Sequence, residues 1–433
     1  MSDQIRTLID NSRLTSVQIS VVAICFLLNM VDGMDVLAIS FAAPDIADEW
    51  SISPQSLGVV FSAALVGMTV GAVFLSPFSD VVGRRKLILA SLVLVSVGMV
   101  ATAQANSVAA LIFLRFLAGL GIGSLLSSMT SMVSEYAPDR WRNLFILVLH
   151  AGYPIGAIIA GFAAAEILPL FGWRPLFVFA GLVSFAALPL VFLLLPESLE
   201  FLAKKQPRGA LQKINAVLRR MGATPMAALP AEIVAAKSRI SVTSLLREPF
   251  RLATIKLWLA FFMAFAALYF LLSWVVKLAI ESGLALENAI YAGVCLNLGA
   301  FFGSISLGAL SNRFGLTRVI ALFFVAGAIS IVVYGSAKVS VAIVLVLVFI
   351  LMYFVQGAFT GLYAVAARIY PTEIRTTGIG WAIGAGRLGA ILGPVTAGLV
   401  LGAGLSIAWT FALFAIPMIF AAAFVSRIRL PAQ

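Results

Sequence analysis

Asp32, Asp35, Arg115 and Arg387 are the residues through which this chain can do chemistry, because each places a charge inside an otherwise apolar stretch. The remaining charges, from totals of 29 Lys+Arg and 18 Asp+Glu, fall in loops or near the ends of apolar runs. A charge at the centre of a bilayer costs about 2.5–3.5 kcal/mol on the insertion scale and is normally kept for ion or substrate handling. Asp32 and Asp35 stand three apart, so a helix puts them on one face. Two carboxylates so close in a medium of low dielectric suit the uptake and release of a proton. Gly33 between them is expected to permit a local break in the helix. With Pro44 read as the end of its span, Asp32 lies roughly 18 Å and Asp35 roughly 14 Å inward, and Arg115 lies roughly 12 Å from Ser107. These depths overlap, so an acid–base contact is expected, with a static pair that locks two helices as the alternative. Arg387, about eleven residues into its span at 1.5 Å per residue, meets no acid of equal depth in its own half. A planar guanidinium fork fits a carboxylate bidentately; pairing with backbone carbonyls is the other reading. The chemistry implied is the binding of an anion coupled to the movement of a proton.

The elements that must position these residues follow from composition. The chain is 62% hydrophobic and 11% charged, with mean hydropathy +1.09, outside the range of a soluble domain. About twelve apolar runs are long enough to span, near 17–43, 55–78, 87–104, 108–131, 143–168, 175–195, 255–280, 288–311, 317–336, 339–366, 376–402 and 405–426. A span needs ~20 residues of helix. Backbone groups cannot go unpaired in lipid, and the alternating ~10-residue strands of a barrel are absent, so the fold class is all-α, a polytopic bundle of twelve transmembrane helices. With the N-terminus on the cytoplasmic side, loops on that side collect 24 of the 29 basic residues, while the other side receives Arg174, Lys277 and Lys338. The net charge of +11 is thus an orientation signal, which removes nucleic acid from consideration and leaves the lipid bilayer as the surrounding partner. The first apolar run is too long for a signal peptide and should stay uncleaved. Cys25 and Cys295 fall inside spans, at a spacing that suits neither a disulfide nor a metal, and read as packing residues. No cofactor and no metal site is expected.

The chain also reads as two copies of one half. Residues 196–254, basic and carrying Pro207, Pro225, Pro230 and Pro249, form a cytoplasmic linker between a six-helix bundle over 1–195 and another over 255–433. Asp80-Val81-Val82-Gly83-Arg84-Arg85-Lys86 follows the second span, and Asn312-Arg313-Phe314-Gly315-Leu316-Thr317-Arg318 follows the eighth. Pro138 with Arg142, and Pro371 with Arg375, recur at matching distances beyond Gly83 and Gly315.

Asp80 to Lys86 resembles the loop signature of the major facilitator superfamily, in which an acid, a glycine and paired basic residues join the second and third helices. Ser76 stands where the family usually has a glycine, and Asn312 replaces the acid of the second copy. Arg115-x-x-x-Gly119-x-Gly121-x-Gly123 and Pro196-Glu197-Ser198 resemble further family segments. Asp32-Gly33-Met34-Asp35, with Arg387-Leu-Gly-Ala-Ile-Leu-Gly-Pro394 and Tyr269-Phe-Leu-x-x-Trp274, is similar to the aromatic acid:proton symporters. That resemblance implies two pseudo-symmetric bundles rocking around a midplane site. It also implies import of a benzoate- or hydroxybenzoate-class acid with a proton across a bacterial inner membrane, with both termini cytoplasmic, by a monomer that is not an enzyme. Asp32 and Asp35 would couple the proton. Arg387, Arg115, Tyr269 and Trp274 would bind substrate, while Asp80, Gly83, Arg84 and Arg85 would gate conformational change. The family pattern continues Leu-Pro where this chain has Val275-Val276, a departure that bears on the substrate.

Phe61, Phe270 and Tyr363 are further rings of about the right depth to stack on a substrate, although most of the 32 Phe serve packing or face lipid. His150, the sole histidine, reads as a packing residue near the inner end of the fifth span, with a proton relay as the alternative. Glu166 should reach water. Gly152-Tyr153-Pro154-Ile155-Gly156 weakly resembles an antiporter motif and equally suits close helix packing. The rival functions are proton-coupled efflux of drugs, which predicts a site less dependent on arginine, and an intramembrane aspartyl enzyme, which would draw its acids from different helices.

Overall fold

The computed structural model describes residues 3–11, 14–229, 245–337, 340–370 and 372–428. Pro230, Lys338 and Pro371 lie outside them, as do the side chains of Asn312 and Arg375. Every regular element described is helical, as the lipid argument requires, and twelve helices are long and apolar enough to cross a membrane. The first six are α2 (Ser16–Trp50), α3 (Pro54–Val70, prolonged by a π turn at Gly71–Leu75, a 3-10 turn at Ser76–Phe78 and α4, Ser79–Val82), α5 (Arg84–Thr102), α6 (Val108–Tyr136), α7 (Asp139–Phe171) and α8 (Arg174–Leu194). The second six are α11 (Arg251–Glu281), α12 (Leu286–Phe314), α13 (Leu316–Ser336), α14 (Val341–Ile369), α15 (Thr372–Gly402) and α16 (Ile407–Ser426). Short helices α1 (Asp3–Asn11), α9 (Leu199–Lys205) and α10 (Ala210–Arg220) complete the chain.

The chain forms two compact units, Met1–Asp35, Val66–Gly156 and Phe177–Lys237 in one, Val36–Leu65, Ala157–Leu176 and Ser238–Gln433 in the other. In the first unit α1, α9 and α10 are not bystanders. Ile5 and Ile9 of α1 and Leu199, Ile214 and Leu218 of the segment after α8 are buried in one core with Val21, Met132 and Tyr136. Part of the stretch expected as linker is therefore bundle core, because its apolar residues recur at helical spacing and find a partner face.

Each unit is drawn together by glycines. A Cβ on Gly67 or Gly71 of α3 would lie 2.1 Å from the carbonyl oxygens of Phe116 and Leu120 in α6. In the second unit a Cβ on Gly299 or Gly303 of α12 would lie 2.2 or 2.0 Å from the oxygens of Phe349 and Tyr353 in α14. Helix backbones meet here because small residues let them, which is how helices associate where lipid offers no hydrophobic drive. The second pair of glycines follows the first by 232 positions, and Gly83 and Gly315 stand the same distance apart. Both of those adopt left-handed backbone, at φ 103° and 88°, between the helices they join, a conformation that costs glycine least. Each half thus repeats the same glycine-mediated packing and the same hinge.

Two local expectations are corrected. Helix α2 does not end at Pro44 but runs through it to Trp50. Its last turn is held by Glu49, which accepts hydrogen bonds from the Trp173 indole (2.6 Å) and from Arg174 (2.8 and 2.9 Å). Asp35 is consequently about 22 Å from the true helix end at 1.5 Å per residue. Nor does Gly33 break the helix. Its bare Cα lets Tyr153 of α7 approach, and a Cβ there would lie 2.1 Å from the Tyr153 oxygen; a Cβ on Gly156 would lie 1.8 Å from the Met30 oxygen. The glycines around Tyr153 are packing residues.

Candidate functional site

In the first unit the two aspartates and Arg115 come together, though not as an ion pair. Asp35 is fully buried and its carboxylate accepts from the Ser184 hydroxyl of α8 (3.1 Å). Arg115, 1% exposed, donates to the backbone oxygen of Asp35 (3.5 Å), to Thr102 Oγ1 (3.0 Å) and to Met99 Sδ (2.7 Å), over the Phe177 ring at 4.9 Å. Asp32, 2% exposed, accepts from Asn29 Nδ2 (3.4 Å), and Asn29 in turn accepts from the Tyr153 backbone N–H (3.0 Å). The arrangement keeps a cation beside two acids while its own donors are spent mostly on neutral groups. Arg115 and Asp35 are thus linked through backbone and neutral groups rather than by a direct charge pair.

The second unit carries a different site. Arg387 lies at the middle of α15, half-buried, and among the described residues no group hydrogen-bonds or ion-pairs its guanidinium. Gly386, just before it, lets α15 lie against Phe265, whose ring a Cβ would meet at 2.3 Å. Phe265 stacks on Tyr269 (5.9 Å between centroids) and meets Phe359 edge-on at 4.7 Å. Phe359 and Phe261 flank Tyr363 edge-on at 5.5 and 5.2 Å, and both Arg387 and Tyr269 act electrostatically on the Tyr363 hydroxyl. Phe261, Phe265 and Phe359 are buried, whereas Tyr269, Tyr363 and Arg387 keep some exposure, so a cation with two phenols in the same part of the unit is left able to hold an anion. Phe265 and Phe359 are not distinguishable in the sequence from any other phenylalanine of a membrane helix.

Other residues named from sequence lie elsewhere. Trp274 is fully buried; its indole donates to the Pro394 oxygen (3.1 Å) and meets Phe61 edge-on at 5.3 Å. In the same part of the second unit Ser40 donates to the backbone oxygens of Leu272 (2.7 Å) and Ser273 (3.0 Å), and Ser62 to that of Ile391 (2.7 Å). Phe270 stacks on Phe414 at 4.0 Å within the core. Glu166 is exposed. His150 is exposed too and so is not the packed histidine expected. Among the described residues no cluster of three His, Cys, Asp or Glu is placed to hold a metal.

The loop of Asp80, Gly83, Arg84 and Arg85 is organised by acids the motif does not contain. Arg84 pairs with Glu135 at the end of α6 and lies 3.6 Å from Glu200 of α9, whereas Asp80, its neighbour in sequence, is 3.8 Å away with a side chain 76% exposed. Glu135 also accepts from Ser198 (2.6 Å), and the Arg85 backbone N–H donates to Glu197 (3.0 Å). A Cβ on Gly83 would lie 2.5 Å from the Glu197 carboxylate. Glu135→Gln is expected to lower the thermal stability of the purified protein by the equivalent of about 1.5–3 kcal/mol, the size of a charge-assisted hydrogen bond, because Arg84 keeps only the longer contact to Glu200 and the exposed Asp80. Asp80→Asn should cost under about 1 kcal/mol. Equal losses in thermal melts of the two variants would count against Glu135 as the organising acid.

Comparison with known proteins agrees with this architecture. The model of the Major Facilitator Superfamily matches residues 25–353 and 294–432. The chain is 34% identical over 417 residues to the gallate transporter of Pseudomonas putida, covering 96% of this chain and 92% of that protein. It is 32% identical over 418 residues to the 4-hydroxybenzoate transporter PcaK of Pseudomonas aeruginosa, covering 94% and 90%. Among solved structures, that of a D-xylose–proton symporter superposes with a TM-score of 0.75 at 17% identity, over 96% of this chain and 98% of that one. Twelve spanning helices, a glycine-hinged loop repeated in each half and these matches lead to one conclusion: the chain is a multi-pass membrane protein and belongs to the major facilitator superfamily.

Proposed function

We propose that this protein imports a small aromatic carboxylate together with a proton. The observation that carries the reading is Arg387, a half-buried guanidinium with no protein partner among the described residues, next in sequence to Gly386, which abuts the aromatic cluster of Phe265, Tyr269, Phe359 and Tyr363. A cation left unpaired at mid-membrane depth is costly; a carboxylate fitted to its fork offsets that cost, and the partly exposed rings of Tyr269 and Tyr363 offer an aromatic acid apolar surface. The relatives named for gallate and 4-hydroxybenzoate support this substrate class. Asp32 and Asp35 take up the proton in the first unit, with Arg115 holding the backbone of Asp35 rather than the substrate. The end of α2 at Trp50 faces outward, and the Arg84 loop and both termini face the cytoplasm of a bacterium, in keeping with the distribution of basic residues.

The test is uptake of labelled benzoate, 4-hydroxybenzoate and gallate into proteoliposomes with an imposed pH gradient, acid outside. Accumulation above equilibrium that collapses when a protonophore removes the gradient is the expected result. Uptake that merely equilibrates, or transport confined to cationic amphiphiles, would overturn the reading.

A further inference from the structure

Tyr363 stands apart from the other aromatic residues around Arg387. Its ring is held edge-on by Phe261 and Phe359, at 5.2 and 5.5 Å with interplanar angles of 86° and 82°, so its direction is set by packing. Its hydroxyl has no hydrogen-bond partner among the described residues, and the residue is only half-buried. Arg387 belongs to the same cluster: Gly386 before it abuts Phe265, Phe265 meets Phe359 edge-on at 4.7 Å, and Phe359 in turn holds Tyr363. A buried phenol finds a protein partner for its O–H; Tyr363, half-buried and rigidly held, keeps its O–H free for a group that comes and goes.

We infer that Tyr363 is a substrate-binding residue whose hydroxyl donates to the same carboxylate that Arg387 grips. This rests on the Arg387 reading of the site. The chemistry fits: a carboxylate has about four lone-pair sites and a guanidinium fork occupies two, which leaves room for a second donor. A donor on a second helix, α14, would also fix the tilt of the anion about the Arg387 fork, and with it the direction of the attached ring. Tyr269, stacked on Phe265, is the rival for contact with substituents on the ring.

The hydroxyl is tested alone by Tyr363→Phe, which keeps both edge-on ring contacts. Equilibrium binding of benzoate and of 4-hydroxybenzoate to purified protein is measured in the parent, Tyr363→Phe and Arg387→Gln. The inference expects Tyr363→Phe to weaken both ligands by the same factor, about tenfold, the size of one hydrogen bond to a charged group. No loss for either ligand, or a loss confined to 4-hydroxybenzoate, overturns it, the latter by assigning the hydroxyl to the ring substituent. Arg387→Gln separates the two levels of the argument. Where it abolishes binding and Tyr363→Phe does not weaken it, only the inference about Tyr363 falls. Where Arg387→Gln binds both acids like the parent, the carboxylate clamp itself falls and takes the inference with it.

Discussion

Asp35→Asn is expected to reduce gradient-driven accumulation of the acid to simple equilibration while exchange of internal for external substrate continues. One proton carried down a gradient supports about tenfold accumulation per pH unit, 1.36 kcal/mol. Under a gradient of about two units the parent should approach ~100-fold and the variant unity. The substitution is gentle: the amide oxygen of Asn can still accept from Ser184, which lies 3.1 Å from the Asp35 carboxylate, and no buried cation loses an ion partner within the described residues. Asp32→Asn is expected to uncouple transport likewise, since Asp32 shares the same face and is 2% exposed. Proteoliposome accumulation with and without internal substrate reads both effects. If both variants accumulate substrate as the parent does, the proton is carried by another group.

Arg387→Lys is expected to weaken binding of 4-hydroxybenzoate by about 1.5–3 kcal/mol, or roughly 10- to 150-fold, although the charge is retained. Lysine presents a point charge on a flexible stem and cannot offer two parallel donors. Arg115→Lys should behave differently, leaving affinity for the acid near that of the parent while disturbing coupling, because Arg115 is buried against Thr102, Met99 and the Asp35 backbone. Isothermal titration of the two variants with 4-hydroxybenzoate and with its neutral methyl ester decides the matter. Equal binding of acid and ester, or an unaffected Arg387→Lys, would remove the clamp.

What could be read from the sequence was what costs free energy when misplaced. Charges inside apolar runs are expensive in lipid, so Asp32, Asp35, Arg115 and Arg387 declare themselves without any structure, and the span count follows from the same expense. The repeated loop was legible because Gly83 and Gly315 recur amid similar neighbours, and a left-handed turn is what a glycine there is for. Partnerships across long separations were not legible. Arg84 has an acid four residues away in Asp80, yet its close partner is Glu135, brought near only when α6 packs on α5. Helix α2 passes Pro44 because Glu49 is tied to Arg174 and Trp173, a contact over more than a hundred residues. The ring wall of Phe265 and Phe359 was hidden because a phenylalanine facing lipid, core or substrate has the same helical period.

The bonds that tie α2 and α3 to α11 and α15 have a consequence for how the cycle responds to voltage. Ser40 and Ser62 both donate to helix carbonyls, which have a second lone pair to spare, so parting them unmakes no helix bond and exposes no charge. An electric field does about 2.3 kcal/mol of work per elementary charge per 100 mV, and on a neutral joint it does none. These joints are therefore electrically silent. On the proposed symport, the net charge that crosses with the anion and its protons then sets how far the membrane potential drives accumulation, so that this dependence counts protons per anion.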